Sequence, residues 1–134
     1  MKAALTGVTV AAVMMALDLV FLGVVARSFY DEQMGALRAS SVQWPAALMF
    51  YGMYVVAVVR HAVQDGRTVQ RAARAGAEMG FFAYATYELT NWAVLAGWPA
   101  ALVPVDLLWG VVLTACAAAA GQWAHSRVGA VRTA

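Results

Sequence analysis

The chain has 134 residues, of which 63% are hydrophobic and only 12% charged, whereas roughly 25% of the residues of a soluble domain are charged. Its long apolar runs, each near the ~20 residues that cross a bilayer, cover about 3–26, 43–60, 75–97 and 101–124. These runs leave almost no chain for a soluble domain. The sequence therefore predicts a single integral membrane domain over 1–134, with an all-α fold that is a four-helix transmembrane bundle.

The placement of basic residues predicts how the four spans are oriented, since Lys and Arg stay on the cytoplasmic side of a membrane. The N-terminus, the 60–74 loop and the C-terminal tail share one side and hold seven basic residues, against Arg27 and Arg38 on the other. Both termini are therefore predicted to be cytoplasmic. The net charge of +2 marks this topology, so the predicted partner is the lipid bilayer and no nucleic acid is expected.

The first apolar run resembles a secretory signal, because Lys2 precedes a hydrophobic stretch. We interpret it as a retained span, since it is too long, contains Asp18 and lacks a convincing cleavage site. Gly7 and Ala11 lie on one helical stripe with Asp18, and small residues there predict close packing against a neighbouring helix. Asp18 itself should face the bundle, since a carboxylate exposed to lipid is costly.

The segment after the first span is predicted to contain a short interfacial helix. The side chains expected to anchor it in the membrane surface are Phe29, Tyr30, Met34 and Leu37. Trp44 and Pro45 then open the second span, with proline in a first helical turn. Tyr51 should reach the level of Asp18, about 10 Å below the outer surface. The cytoplasmic loop that follows is predicted to turn at Asp65-Gly66.

The third span has one helical face that is small at the cytoplasmic end and polar at the outer end. Gly76 and Gly80 are four residues apart, a pattern that lets two helices approach closely. The polar residues farther along the same face are Tyr84, Tyr87, Glu88 and Asn91.

A tight turn at 97–100 makes the third and fourth spans an antiparallel hairpin, in which depth can be counted from the turn. Asn91 and Asp106 each lie ~10 Å below it, and Glu88 lies one helical turn deeper. These three residues are therefore predicted to be near neighbours. Trp109 shares the outer end of the fourth span with Asp106.

The motifs TYELTN at 86–91 and DLLWG at 106–110 resemble those of a family of small bacterial four-helix inner-membrane proteins of unknown function. With ALMFYGMYV in the second span and DLVFLG in the first, the resemblance covers nearly the whole chain. In the family pattern the position of Glu88 is usually Asp and that of Phe21 is often Trp. The resemblance implies a multi-pass protein of the bacterial inner membrane, and it implies no particular activity.

Eight residues from all four spans are predicted to line an acidic, aromatic pocket in the outer half of the bundle. They are Asp18, Tyr51, Tyr84, Tyr87, Glu88, Asn91, Asp106 and Trp109. Three carboxylates without a basic residue at that depth cannot all be charged in a dry site, so at least one should carry a proton or meet a cation. We predict no cofactor and no metal, since the chain lacks a phosphate-binding glycine loop and regular metal-ligand spacing.

The favoured function is binding of a small cationic or lipid-like ligand, with proton-coupled transport as one form that would need a homodimer. A second hypothesis is an enzyme acting on a lipid or isoprenoid, with Glu88 and Asp106 as acid and base and Asn91 orienting the substrate. A third is an accessory subunit whose acids pair with a partner's basic residues. The fourth is polar bonding between helices, which at ~0.6 kcal/mol per bond explains one such residue better than eight.

Overall fold

A computed structural model describes residues 2–64 and 67–131, and the described part is helical with no strand. Its five α-helices are α1 (Lys2–Val20), α2 (Arg27–Met34), α3 (Trp44–His61), α4 (Val69–Val94) and α5 (Leu102–Val131). A π-helical turn, Phe21–Val25, continues α1, and a 3-10 turn, Gly35–Leu37, follows α2. The predicted turn at Asp65-Gly66 lies outside the described residues. The all-helical fold class and the short helix after the first span are confirmed.

Local sequence signals explain where α3 and α4 begin and where α4 ends. Pro45 lies in the first turn of α3, where its missing N–H would have no helical partner. The Thr68 hydroxyl caps α4 by accepting a hydrogen bond from the Arg71 N–H at 3.2 Å. Gly97 has a φ of 80°, which lets the chain reverse between α4 and α5.

Two helical segments, Lys2–Val25 and Leu102–Val128, are long and apolar enough to cross a membrane by length and composition. Only 11% of the apolar window of the first and 39% of that of the second are buried inside the protein, so most of their apolar surface points outward. The helices that cover the other two predicted spans, α3 and α4, are not in this class. Membrane crossing by α3 and α4 stays a prediction.

α5 is the central helix of the fold, since it packs along α4 and α1 and also contacts α3. The buried apolar side chains between these helices include Val10, Met14, Tyr54, Val58, Leu113 and Ala117. α3 packs mainly on α1 and meets α4 at few places, which leaves a gap between α3 and α4.

Close approach between α4 and α5 depends on glycine. A Cβ atom added at Gly80 would overlap the Gly110 carbonyl oxygen, and one at Gly76 would lie 2.5 Å from the Thr114 carbonyl oxygen. The prediction from the Gly76-Gly80 spacing is therefore confirmed. The matching prediction for Gly7 is wrong, because an added Cβ there would meet nothing within 4 Å.

The buried face of α1 differs from the predicted stripe. It consists of Thr6, Val10, Met14 and Asp18. The small residue at the contact with α5 is Gly121, where an added Cβ would lie 2.6 Å from Val10 Cγ2. The close contact between α1 and α5 therefore depends on Gly121 of α5, and Gly7 of α1 lies away from it.

Candidate functional site

Asp18 is the centre of the first of two bonded groups at the helix ends nearest α2, which we call the outer ends. Trp109 Nε1 donates to Asp18 Oδ1 at 2.9 Å, and the Tyr51 hydroxyl donates to Asp18 Oδ2. Asp18 is buried. We call Asp18, Tyr51 and Trp109 the Asp18 group. The prediction that Tyr51 reaches the level of Asp18 is confirmed.

Glu88 and Asp106 are the centre of the second group. Glu88 is fully buried and Asp106 nearly so, and the two carboxyls lie within hydrogen-bonding reach of each other. Trp98 Nε1 donates to Glu88 Oε2 at 3.0 Å, and the Tyr30 hydroxyl donates to Asp106 Oδ1. We call Glu88, Asp106, Trp98 and Tyr30 the Glu88–Asp106 group. Contact between the two acids is confirmed, whereas ligand binding by them stays a prediction.

The two groups are adjacent because Asp106 and Trp109 lie one helical turn apart on α5. Tyr84 of α4 fills the space beside them, and its hydroxyl is near enough to interact electrostatically with both Asp18 and Asp106. Room for its ring comes from Gly110, where an added Cβ would overlap the Tyr84 ring. A single glycine of α5 thus positions Tyr84 between the two acidic groups.

Tyr87 and Asn91 belong to neither group. Tyr87 is 55% exposed, and its ring packs edge-on against Trp98 with the centroids 5.7 Å apart. The Asn91 side chain is half-buried and lies within hydrogen-bonding reach of the Tyr87 hydroxyl. The Tyr87 hydroxyl is still near enough to interact electrostatically with Glu88 and Asp106, so Tyr87 lies beside the Glu88–Asp106 group. Ligand binding by Tyr87 and Asn91 stays a prediction.

Tyr30 and Trp98 are bonded to the acids although sequence reasoning placed them elsewhere, Tyr30 as a membrane anchor and Trp98 in a turn. Tyr30 is half-buried, and burial together with its bond to Asp106 raises the pKa of its hydroxyl above the usual range. One signal could have identified both residues. Buried carboxylates without basic neighbours need other donors, and phenol and indole groups at the outer helix ends can supply them.

The π-helical turn Phe21–Val25 leads into α2, whose Tyr30 reaches the acidic groups. Phe21 stacks on Trp109 with the ring centroids 3.9 Å apart and the planes 10° apart. Tyr30 packs edge-on against Phe21 at 6.4 Å. At the exposed surface of this segment, Arg27 and Arg38 both pair with Asp31.

An open groove of about 310 Å³ lies between α3 and α4. Its lining residues are Phe50, Tyr54, Ala83, Tyr84 and Tyr87. The lining is almost entirely apolar, and none of these side chains is acidic. The sequence predicts one pocket that is both acidic and aromatic, whereas the structure has these features in two places. The carboxyls are bonded to phenol and indole donors, and the open groove is lined by aromatic side chains. Tyr84 is the residue common to both.

The described residues contain no group of three or more His, Cys, Asp or Glu side chains that could hold a metal ion. The three outer-half carboxyls thus do not form one three-ligand site. His61 is exposed, and His125 Nδ1 lies 3.3 Å from Thr6 Oγ1, at the helix ends remote from both acidic groups.

Comparison with known proteins adds one match. A family model described as "Predicted membrane protein (DUF2177)" matches residues 3–123, which is nearly the whole chain. No curated protein and no solved structure matches the chain. The family description names a membrane and no activity.

Proposed function

We propose that this chain, which belongs to the DUF2177 family of predicted membrane proteins, crosses the membrane four times. Exposed apolar side chains on the two less apolar helices support this proposal. On α3 and α4 they include Leu48, Met49, Met53, Phe81 and Phe82. Soluble proteins rarely expose contiguous apolar surface of this kind, whereas lipid would cover it.

The basic residues support an orientation with both termini in the cytoplasm of a bacterial inner membrane. Cysteine labelling tests this orientation in a Cys116→Ser background. A membrane-impermeant maleimide should label Ser40→Cys in intact cells, and Arg71→Cys only after lysis. Labelling of both positions from the same side would mean that α3 does not cross the membrane.

Within this protein, the groove between α3 and α4 binds the hydrocarbon part of a lipid-like ligand. The observation that carries this proposal is the apolar, aromatic lining of an open space of about 310 Å³, at the low end of the volumes of small-molecule sites. A purely cationic ligand fits less well, because Trp109, Tyr51, Trp98 and Tyr30 already bond the carboxyls.

Native mass spectrometry of the detergent-solubilised protein tests this ligand. We expect the wild type to retain a co-purified lipid-like mass. Ala83→Phe should lose it, because the larger side chain fills the groove, whereas the control Ala93→Phe places the same ring at an exposed position of α4 and should keep it. Equal retention by both variants, each with an unchanged melting temperature, would contradict the proposal.

The contact between Glu88 and Asp106 supports the intramembrane enzyme as a second candidate function. Acid and base chemistry needs two carboxyls whose protonation differs, and adjacent buried carboxyls supply that difference. Tyr84 lies between the aromatic groove and these acids. A lipid extract that changes on overexpression of the wild type, and not of Glu88→Gln, would favour the enzyme over simple binding.

A further inference from the structure

The Glu88 carboxyl has an oxygen with no hydrogen-bond donor although the residue is fully buried. Trp98 supplies the donor for Oε2, whereas Oε1 has no partner among the described residues. The neighbouring group is the Asp106 carboxyl, which lies within hydrogen-bonding reach. Ionised carboxylates only accept hydrogen bonds, so two of them cannot bond each other. A hydrogen bond between the two groups requires that one of them be protonated.

The groups that face this pair cannot neutralise two charges. Tyr30 approaches from α2, Tyr84 and Tyr87 from α4, and all three are neutral donors rather than cations. On the α1 side, Asp18 is a further acid. The basic side chains of the outer segment pair with Asp31 at the surface.

We propose that Glu88 and Asp106 form a proton-binding site in which the two carboxyls share one proton. One carboxylic acid O–H donates to the other carboxylate, so the pair carries a single negative charge. That charge is stabilised by the hydrogen bonds from Trp98 and Tyr30.

A proton suits this site better than a metal cation. Hard cations such as Mg²⁺ and Ca²⁺ require about six or more oxygen ligands, and the described residues assemble no cluster of three candidate metal ligands. A proton requires only two neighbouring carboxyls, which Glu88 and Asp106 supply. The inference is independent of any ligand in the groove between α3 and α4.

Infrared spectroscopy of the protein in lipid tests the proposal, because a protonated carboxyl absorbs apart from a carboxylate. At neutral pH the wild type should show a protonated-carboxyl band. Glu88→Gln and Asp106→Asn should each lose it, since the new amide N–H donates to the remaining carboxylate. Asp18→Asn, which removes the acid of the other group, should keep the band.

Isotopic labelling in the wild type shows whether the band comes from Asp, from Glu or from both, and this part of the test does not depend on the variants folding. Because the two carboxyls share the proton, carbon-13 in the Asp carboxyls and carbon-13 in the Glu carboxyls should each shift the band, whereas a band that responds to the Asp label alone would point to Asp18. A wild type without the band at neutral pH would overturn the proposal, as would a band that survives both variants. A carboxylate signal that responds to added Na⁺ instead would assign the site to a cation.

Discussion

The two ends of the helix bundle are held together by different means. At the end that carries the α3–α4 connection, which we call the inner half, Gly76 and Gly80 of α4 pack closely against the backbone and small side chains of α5. The buried Gln122 side chain of α5 also bonds backbone groups of the α3–α4 connection. At the end that carries α2, the outer half, acids bonded to aromatic donors bridge the helices. An open groove lies between α3 and α4, and Tyr84 joins it to the acidic groups.

This difference indicates which residues hold the helices in place and which to test for function. Close packing at glycine fixes the distance between two helices and tolerates no added atom, but glycine has no side chain that could bind a ligand or transfer a proton. Bonds between buried side chains fix only a few atoms and depend on every donor being present. The bonded polar residues beside the groove are therefore the ones to test for function, and the glycine contacts of the inner half provide matched controls.

The largest expected effect is on packing in the inner half. Gly80→Ala places a Cβ against the Gly110 backbone and the Thr114 hydroxyl, so it should lower the free energy of unfolding by about 3 kcal/mol, the upper end for overpacking. Gly52→Ala is the control, because an added Cβ there meets nothing within 4 Å and helical alanine can add about 0.4–1 kcal/mol. Unfolding in mixed detergent micelles measures both variants. If Gly80→Ala were no less stable than Gly52→Ala, α4 and α5 would be able to move apart without a measurable loss of stability.

The next effect concerns the Asp18 group. Trp109→Phe removes the indole donor but keeps a ring to stack on Phe21, so it should cost about 1–3 kcal/mol through the lost bond to buried Asp18. Trp92→Phe, at a side chain that is 53% exposed, should change stability little. In an Asp18→Asn background the cost of Trp109→Phe should shrink. An unchanged cost would mean that the indole contributes packing alone.

A smaller effect is expected at Tyr30. Tyr30→Phe removes the bond to Asp106 and should cost about 1 kcal/mol, more than Tyr87→Phe at an exposed position. Burial raises the folded-state pKa of the Tyr30 hydroxyl above its unfolded value near 10. The folded state therefore holds this proton more tightly, and the stabilisation is complete below about pH 10 and declines as the pH rises above it. Thermal melts should show a steeper alkaline loss for the wild type than for Tyr30→Phe, and parallel losses would contradict this role.

The smallest effect is expected at the surface of the outer half. Asp31→Asn breaks the ion pairs with Arg27 and Arg38, all of which are partly exposed, and should change the free energy of unfolding by less than about 1 kcal/mol. A thermal melt at low and high salt measures it. A loss of stability as large as that of Trp109→Phe would contradict the expectation that buried polar bonds stabilise this protein more than exposed ion pairs do.

The sequence predicts features that depend on regular helix geometry. Depth counted along straight helices brings Tyr51 to Asp18 and Glu88 to Asp106, and a spacing of four places Gly76 and Gly80 on the contact with α5. These predictions need only the rise and rotation per residue.

Other features depend on irregular backbone or on the choice between adjacent helix faces. Tyr30, on the short helix after the π-helical turn, donates to Asp106, a contact that its prediction as a membrane anchor does not include. Packing between α1 and α5 selects Gly121 rather than Gly7 as the small contact residue. Tyr87 lines the groove and packs against Trp98, in addition to lying beside the acids. None of these outcomes follows from periodicity.

A photoactivatable fatty acid tests most directly whether the groove between α3 and α4 is the proposed lipid-binding surface. After illumination in membranes, mass spectrometry should find adducts concentrated on Phe50, Tyr84 and Tyr87. Ala83→Phe should abolish this concentration, and Ala93→Phe should not. Adducts spread evenly over the exposed apolar faces of α3 and α4, or unchanged in Ala83→Phe, would contradict the account.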